Sequence, residues 1–176
     1  MEKIRIGIIG TGGISNAHVR AYKKMEDVEI VAGADIIPGK AREALDRWEF
    51  PEAQAFESAQ EMLEKVKLDA VSVCTYNSTH AECAIAALEA GCHVLLEKPM
   101  TVTLEDAQKL RRVEKKTGKI LTIGFQPRYD ERMQKIKEVV QSGKLGQVYY
   151  VQTGGGRRRG IPGRTFIEKR YAGVGA

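Results

Sequence analysis

The chain has 176 residues, a formal net charge of +5, 43% hydrophobic residues and three cysteines. That length suits one domain, or one and a fraction, and no run of eighteen apolar residues occurs, which excludes a helical membrane span. Cys74, Cys83 and Cys92 are odd in number and lack a Cys-x-x-Cys pair, so reduced, buried thiols are expected rather than a disulfide framework or a metal site.

The chain opens into an apolar run without a leader-like segment, so a cytoplasmic location is expected. That run predicts a strand over 3–9, ending in Gly10-Thr-Gly12-Gly13. A helix over 13–25 follows, then a strand over 28–34 that stops on Asp35. Pro38 suits the first turn of a helix over 38–47. A short strand near 54–56, a helix over 58–65 and a β-branched strand over 70–75 come next. A helix over 79–90 stops at Gly91, before a strand over 93–97. Thr103 and Asp106 form a capping arrangement for a helix over 104–117, which stops at Gly118 before a strand over 120–124. Beyond Phe125, residues 130–142 read as one more amphipathic helix and 148–153 as a strand; 154–163 is loop.

Short apolar runs alternating with amphipathic ones predict an α/β fold, a doubly wound Rossmann parallel sheet, followed by the start of a truncated α+β second domain. The expected boundaries are 1–125 and 126–176. Loops 10–13, 75–80, 97–100 and 124–128 all follow strands, so they converge on the carboxyl edge, where ligands bind in such sheets.

The first of these loops has the most specific chemistry. Gly10 permits a tight turn, and Gly12 lets the backbone approach a pyrophosphate. The helix opening at Gly13 and Ile14 then aims unpaired N–H groups and its positive dipole end at the phosphates. Asp35 stands where a carboxylate accepts hydrogen bonds from the adenosine ribose. Ser15 takes the third small position, where Gly or Ala is usual. A 2′-phosphate beside Asp35 sets like charges together, each unit pair costing up to about 4 kcal/mol in a medium of effective dielectric about 20. Lys40 and Arg42 lie within reach to offset part of this, so NADP stays open but NAD is favoured.

Two later segments, Asp69-Ala-Val-Ser-Val-Cys-Thr-Tyr-Asn-Ser-Thr-His80 and Gly91-Cys-His-Val-Leu-Leu-Glu-Lys-Pro99, complete a pattern. With the glycine turn, they resemble the Gfo/Idh/MocA oxidoreductases, the glucose–fructose oxidoreductase and inositol 2-dehydrogenase group. The resemblance implies an NAD(P)-dependent dehydrogenase that transfers hydride between nicotinamide and a secondary alcohol of a sugar, polyol or cyclitol. It implies that Thr75 and Asn77 line the nicotinamide half of the cofactor and that Glu97 approaches the nicotinamide ribose. Lys98 is the implied catalytic residue, hydrogen-bonded to the substrate hydroxyl, with a cis Lys98–Pro99 bond aiming both side chains into the cleft. Arg128 matches an Arg near the substrate or the cofactor carboxamide, although Gln126-Pro127 replaces the more usual Asn-bearing pair. His80, whose loop faces the cleft, joins the cofactor-binding candidates; His18 and His93 are read as structural. No metal is implied.

The family's acid–base pair, an Asp and a His one helical turn apart, should follow an Ala-Gly-Gly-Gly-Ala-like stretch. Ala172-Gly-Val-Gly-Ala176 matches only its beginning, so the pair is expected to be missing here. A parent dehydrogenase that forms a homodimer or tetramer is expected. The alternatives are a non-catalytic nucleotide-binding module and an inactive fragment that only binds NAD. Charge is uneven: residues 1–125 hold 17 Lys/Arg and 19 Asp/Glu, whereas 126–176 hold 11 and 4. No nucleic-acid motif accompanies the basic segment, and Arg157–Arg159 reads as a solvated loop, so no nucleic-acid partner is expected.

Overall fold

Ile6 and Ile8 pack on one side of the first strand and Ile9 on the other, so both faces of the sheet are buried from its centre outward. The computed structural model describes residues 2–155 and 168–173. The strands are β1 (Ile4–Ile9), β2 (Val28–Ala34), β3 (Gln54–Phe56), β4 (Ala70–Val73), β5 (His93–Leu96) and β6 (Leu121–Ile123). They lie in the order β3-β2-β1-β4-β5-β6, and every pairing is parallel. This is the expected doubly wound sheet, with the order reversing between β1 and β4.

The helices of the sheet layers are α1 (Ser15–Tyr22), α2 (Lys40–Arg47), α3 (Ala59–Lys65), α4 (His80–Glu89) and α5 (Leu104–Thr117). Val19 of α1 with Ala44 and Leu45 of α2 covers Ile6, Ile8 and Ile30, and Trp48 closes that layer. Met62, Ala84, Ala87, Leu88 and Leu110, from α3, α4 and α5, cover Val71, Val73, Val94 and Leu96 on the other face. Each fully buried Leu of this kind contributes roughly 1.5–3 kcal/mol of transfer free energy.

Register aligns the strand ends. Ile9 pairs with Ala34 and with Val73, Val73 pairs with Leu96, and Leu96 pairs with Ile123. Gly10, Asp35, Cys74, Glu97 and Gly124 therefore leave the sheet at one level.

Most local signals act where the residues place them. Gly91 and Gly118 adopt φ of 85° and 66° at helix stops, conformations that favour glycine. Thr103 caps α5, accepting from the Asp106 N–H at 3.1 Å while its own hydroxyl donates to the Asp106 carboxylate at 2.7 Å. Pro38 does not open α2. Gly39 takes a left-handed φ of 75° between them, so Pro38 sits in the turn before the helix.

Residues through Gly124, together with 168–173, belong to one compact unit, and residues 125–155 to a second. In the second unit α6 (Glu131–Gln141) is capped by Asp130, whose carboxylate accepts from the Arg132 and Met133 N–H groups. Ile136, Val139, Val140 and Leu145 line an exposed apolar groove there. In the first unit a short helix, α7 (Lys169–Ala172), returns to pack with the sheet domain. The strand expected over 148–153 does not form among the described residues: its backbone pairs with no other strand, and an unpaired strand is not stable. Arg157–Arg159 and the tail after Gly173 lie outside the described residues.

Candidate functional site

The glycine turn is built in two parts with different demands. Gly10 has φ of 85°, and its N–H donates to the Ala34 carbonyl at 2.8 Å. A Cβ there would sit 2.8 Å from the Cys74 carbonyl carbon and oxygen and 2.9 Å from the Thr75 nitrogen. Gly10 is thus required by the fold. A Cβ on Gly12 or Gly13 would meet nothing within 4 Å. These two glycines present bare backbone to open space, a cradle that a side chain would begin to fill.

Ile14 is the N-cap of α1 and supplies no side-chain cap, so its side chain satisfies none of the first-turn N–H groups. Ser15 is fully buried, and its hydroxyl donates to the Gly12 carbonyl. Serine at the third small position therefore fastens the turn from beneath, a role neither Gly nor Ala has.

Asp35 is joined to the same turn. Its Oδ2 accepts from the Thr11 N–H and hydroxyl, each at 2.9 Å, and from Lys40 Nζ at 2.8 Å. Its Oδ1 accepts from the Ile37 N–H at 3.1 Å. Burial alone raises the carboxyl pKa, but these donors, Lys40 first, outweigh it and hold Asp35 below the usual carboxylate range. Lys40 thus reaches back as the sequence allows. Arg42 does not; its guanidinium donates to the Ala53 and Phe50 carbonyls and pairs with Asp46.

The loops after β4 and β5 supply the other candidates. Thr75 and Asn77 are half-buried at the start of the loop that turns through a 3-10 segment, Asn77–Thr79. His80 is only 1% exposed. Its Nδ1 lies 2.6 Å from the Pro99 carbonyl oxygen and its Nε2 3.3 Å from that of Thr75, so both ring nitrogens face backbone. Glu97 is 4% exposed and turned inward: Oε1 accepts from His18 Nε2 at 2.9 Å, and Oε2 accepts from the Lys98 N–H at 3.3 Å. Burial raises its pKa, but the His18 hydrogen bond and charge, with the Lys98 amide and ammonium, bring it below the ordinary value. Lys98 is exposed, its ammonium has no hydrogen-bond partner among the described residues, and the Lys98–Pro99 bond is cis.

The sheet edge therefore gathers Gly10, Gly12, Gly13, Ile14, Asp35, Thr75, Asn77, His80, Glu97 and Lys98. Arg128 belongs to the second unit, where its guanidinium lies 5.3 Å from the centre of the Phe125 ring. His93 is at the other end of β5, its Nδ1 accepting from the Ile120 N–H at 3.0 Å. The three cysteines are free thiols, and burial raises the pKa of each, that of Cys83 to about 11, so none is poised as a thiolate. Among the described residues no three His, Cys, Asp or Glu side chains group as metal ligands, and no helix is long and apolar enough to cross a membrane.

Sequence reading misses one support of these loops. The Tyr171 and Tyr76 rings stack with centroids 4.3 Å apart, and the Ser78 hydroxyl donates to the Arg170 carbonyl at 3.0 Å. Gly173 packs so closely on Val102 that a Cβ would overlap its side chain. Residues 168–173 thus strap the loops that follow β4 and β5. No local signal announces a contact across 92 residues.

The family model described as "Oxidoreductase family, NAD-binding Rossmann fold" matches residues 4–125. The D-glucoside 3-dehydrogenase of Escherichia coli K12 is 36% identical over 174 residues, covering 98% of this chain and 49% of that protein. The inositol 2-dehydrogenase of Salmonella typhimurium LT2 is 36% identical over 146 residues, covering 82% of this chain and 43% of its own length. Among solved structures, the WlbA dehydrogenase of Bordetella pertussis, in complex with NADH and UDP-GlcNAcA, superposes with a TM-score of 0.78 at 30% identity. That match covers 84% of this chain and 45% of the other. The chain spans about half the length of the curated relatives it matches.

Proposed function

The chain belongs to the Gfo/Idh/MocA oxidoreductase family, and from that premise we propose that it forms the dinucleotide half of an NAD-dependent dehydrogenase acting on a secondary alcohol of a sugar, polyol or cyclitol. The bond between Asp35 and Thr11 of the glycine turn carries this reading, because it fixes a ribose-binding carboxylate beside a phosphate cradle. Gly12, Gly13 and the first turn of α1 receive the pyrophosphate. Asp35 accepts from the adenosine ribose and disfavours a 2′-phosphate. Thr75 and Asn77 line the nicotinamide end. When bound, the nicotinamide supplies the hydride acceptor or donor. Lys98, exposed and with its ammonium in no hydrogen bond among the described residues, donates a hydrogen bond to the substrate hydroxyl and lowers its pKa.

No histidine of the chain stands ready to take the hydroxyl proton. His18 and His80 are buried against other groups, and His93 lies at the far end of β5. The 176-residue chain is therefore proposed to bind NAD without turning substrate over, with the acid–base pair, the substrate face and a homo-oligomeric interface belonging to a longer parent in the cytoplasm. Residues 1–125 constitute the cofactor domain in this proposal and 126–176 run on into the next, although 168–173 return to the first unit.

An amide NMR titration with NAD⁺ tests it. The Gly12, Gly13, Asp35 and Thr75 amides are expected to shift while those of α6 stay still. Saturating NAD⁺ with no response at the glycine turn would overturn the proposal.

A further inference from the structure

Two buried histidines from different helices flank the Lys98 turn. His18 stands on α1, the helix that follows the glycine turn, and grips Glu97, the residue before Lys98. His80 opens α4 and grips the carbonyl of Pro99, the residue after it. Lys98, held between the two, is exposed.

Each grip is specific. A carboxylate only accepts, so His18 Nε2 donates to Glu97. Its Nδ1 lies 3.2 Å from the Ser72 hydroxyl, which lies 2.7 Å from the Tyr22 hydroxyl. Tyr22, Ser72, His18 and Glu97 thus form one continuous chain of hydrogen bonds that ends on the Glu97 carboxylate. On the far side Glu97 Oε1 lies only 3.2 Å from where a Cβ of Gly124 would be, so the end of β6 leaves the carboxylate little room to swing away. The Pro99 and Thr75 carbonyls both only accept, and His80 Nδ1, 2.6 Å from the Pro99 oxygen, makes the closer contact, Nε2 lying 3.3 Å from that of Thr75. Both imidazoles are nearly excluded from water, at 8% and 1% exposure. Buried hydrogen-bonding rings hold their partners in place, because swinging free would strand a polar group.

We propose that His18 and His80 are positioning residues for Lys98: they clamp the backbone on either side of it and so fix where its ammonium meets the substrate. This rests on the dehydrogenase reading for the purpose of the clamp, although the clamp itself is measurable without cofactor. It also ties Lys98 mechanically to α1, the helix beneath the phosphate cradle.

The test uses the 176-residue chain without ligand, following the Lys98 backbone amide and its hydrogen exchange by NMR alongside the melting temperature. His18→Leu and His80→Leu remove the donors. His18→Gln keeps a donor near the Nε2 position, and His80→Asn keeps one near Nδ1. The expected result is a displaced Lys98 amide with faster exchange in both Leu variants, restored toward the parent in the Gln and Asn variants. A purely structural role would lower melting without singling out Lys98, and folded Leu variants with a parent-like Lys98 amide would overturn the proposal. Should the Leu variants not fold, a Lys98 amide in His18→Gln and His80→Asn displaced as far as in a Glu97→Leu chain would overturn it equally. Failure of the unaltered chain to bind NADH counts against the dehydrogenase reading and leaves the Lys98 amide result to decide the clamp.

Discussion

Substituting alanine at Gly10 and at Gly12 should produce opposite phenotypes from the same added methyl. At Gly10 the left-handed φ of 85° costs an alanine about 1–2 kcal/mol. The new Cβ also meets the Cys74 backbone at 2.8 Å, where no rotamer change can relieve it, adding roughly 1–3 kcal/mol. Gly10→Ala is thus expected to lose about 3 kcal/mol, a large part of a typical stability of roughly 5–15 kcal/mol. At Gly12 a Cβ meets nothing within 4 Å, so Gly12→Ala should keep its stability within about 0.5 kcal/mol. Its methyl enters the cradle instead, and NAD⁺ affinity should fall at least about tenfold, or ~1.4 kcal/mol. Trp48, the single tryptophan, is buried against the first layer and donates to Asn16 at 2.7 Å, so its fluorescence reports unfolding of this unit in urea. Equal destabilisation by both substitutions, or unchanged NAD⁺ affinity in Gly12→Ala, would refute the division of labour between the two glycines.

Three further outcomes are expected. Lys40→Ala removes the cation 2.8 Å from Asp35, so NADP⁺ binding should weaken relative to NAD⁺ by about tenfold; an unchanged ratio of dissociation constants would contradict this. Asp35 and Glu97 both have folded pKa values below their unfolded ones, so the stability they contribute is present above the unfolded values and lost as pH falls through the folded ones. Melting temperature should therefore drop as pH falls below about 4, and Asp35→Asn with Glu97→Gln should flatten that drop. Ser72→Ala strands the buried His18 Nδ1 and removes the partner of the half-buried Tyr22 hydroxyl, and should cost about 2 kcal/mol in urea denaturation, whereas a cost near zero would mean the network is not formed.

Much of this arrangement is legible in the residues. The strand run 70–75 declares itself because its apolar and β-branched residues are buried in the middle of the sheet, and 120–124 has the same composition although it forms the half-buried edge strand, with Ile120 exposed. Gly91 and Gly118 mark helix ends because only glycine takes their backbone angles cheaply. Once the order of elements is read, the loops fall on one edge by topology alone, which is why Gly10, Asp35, Thr75 and Lys98 are identifiable together. Pairings across the chain are not. His18 and Glu97 are 79 positions apart, and neither flanking pattern hints at the other. The family resemblance implies that Glu97 approaches the nicotinamide ribose, and packing against His18 turns its carboxylate inward. His80 reads as cleft-facing because its loop is, yet α4 begins at that residue and carries the ring under the Pro99 carbonyl. The segment 148–153 has strand composition, but a strand is a property of its partners, and none pairs with it among the described residues.

The most direct measurement is a calorimetric titration of the chain with NAD⁺ and, separately, NADP⁺, repeated with Asp35→Ala. Binding of NAD⁺ tighter than NADP⁺, with that preference lost or reversed in Asp35→Ala, is the predicted result. Binding of neither nucleotide by the folded chain would contradict the assignment of the glycine turn and Asp35 as a dinucleotide site.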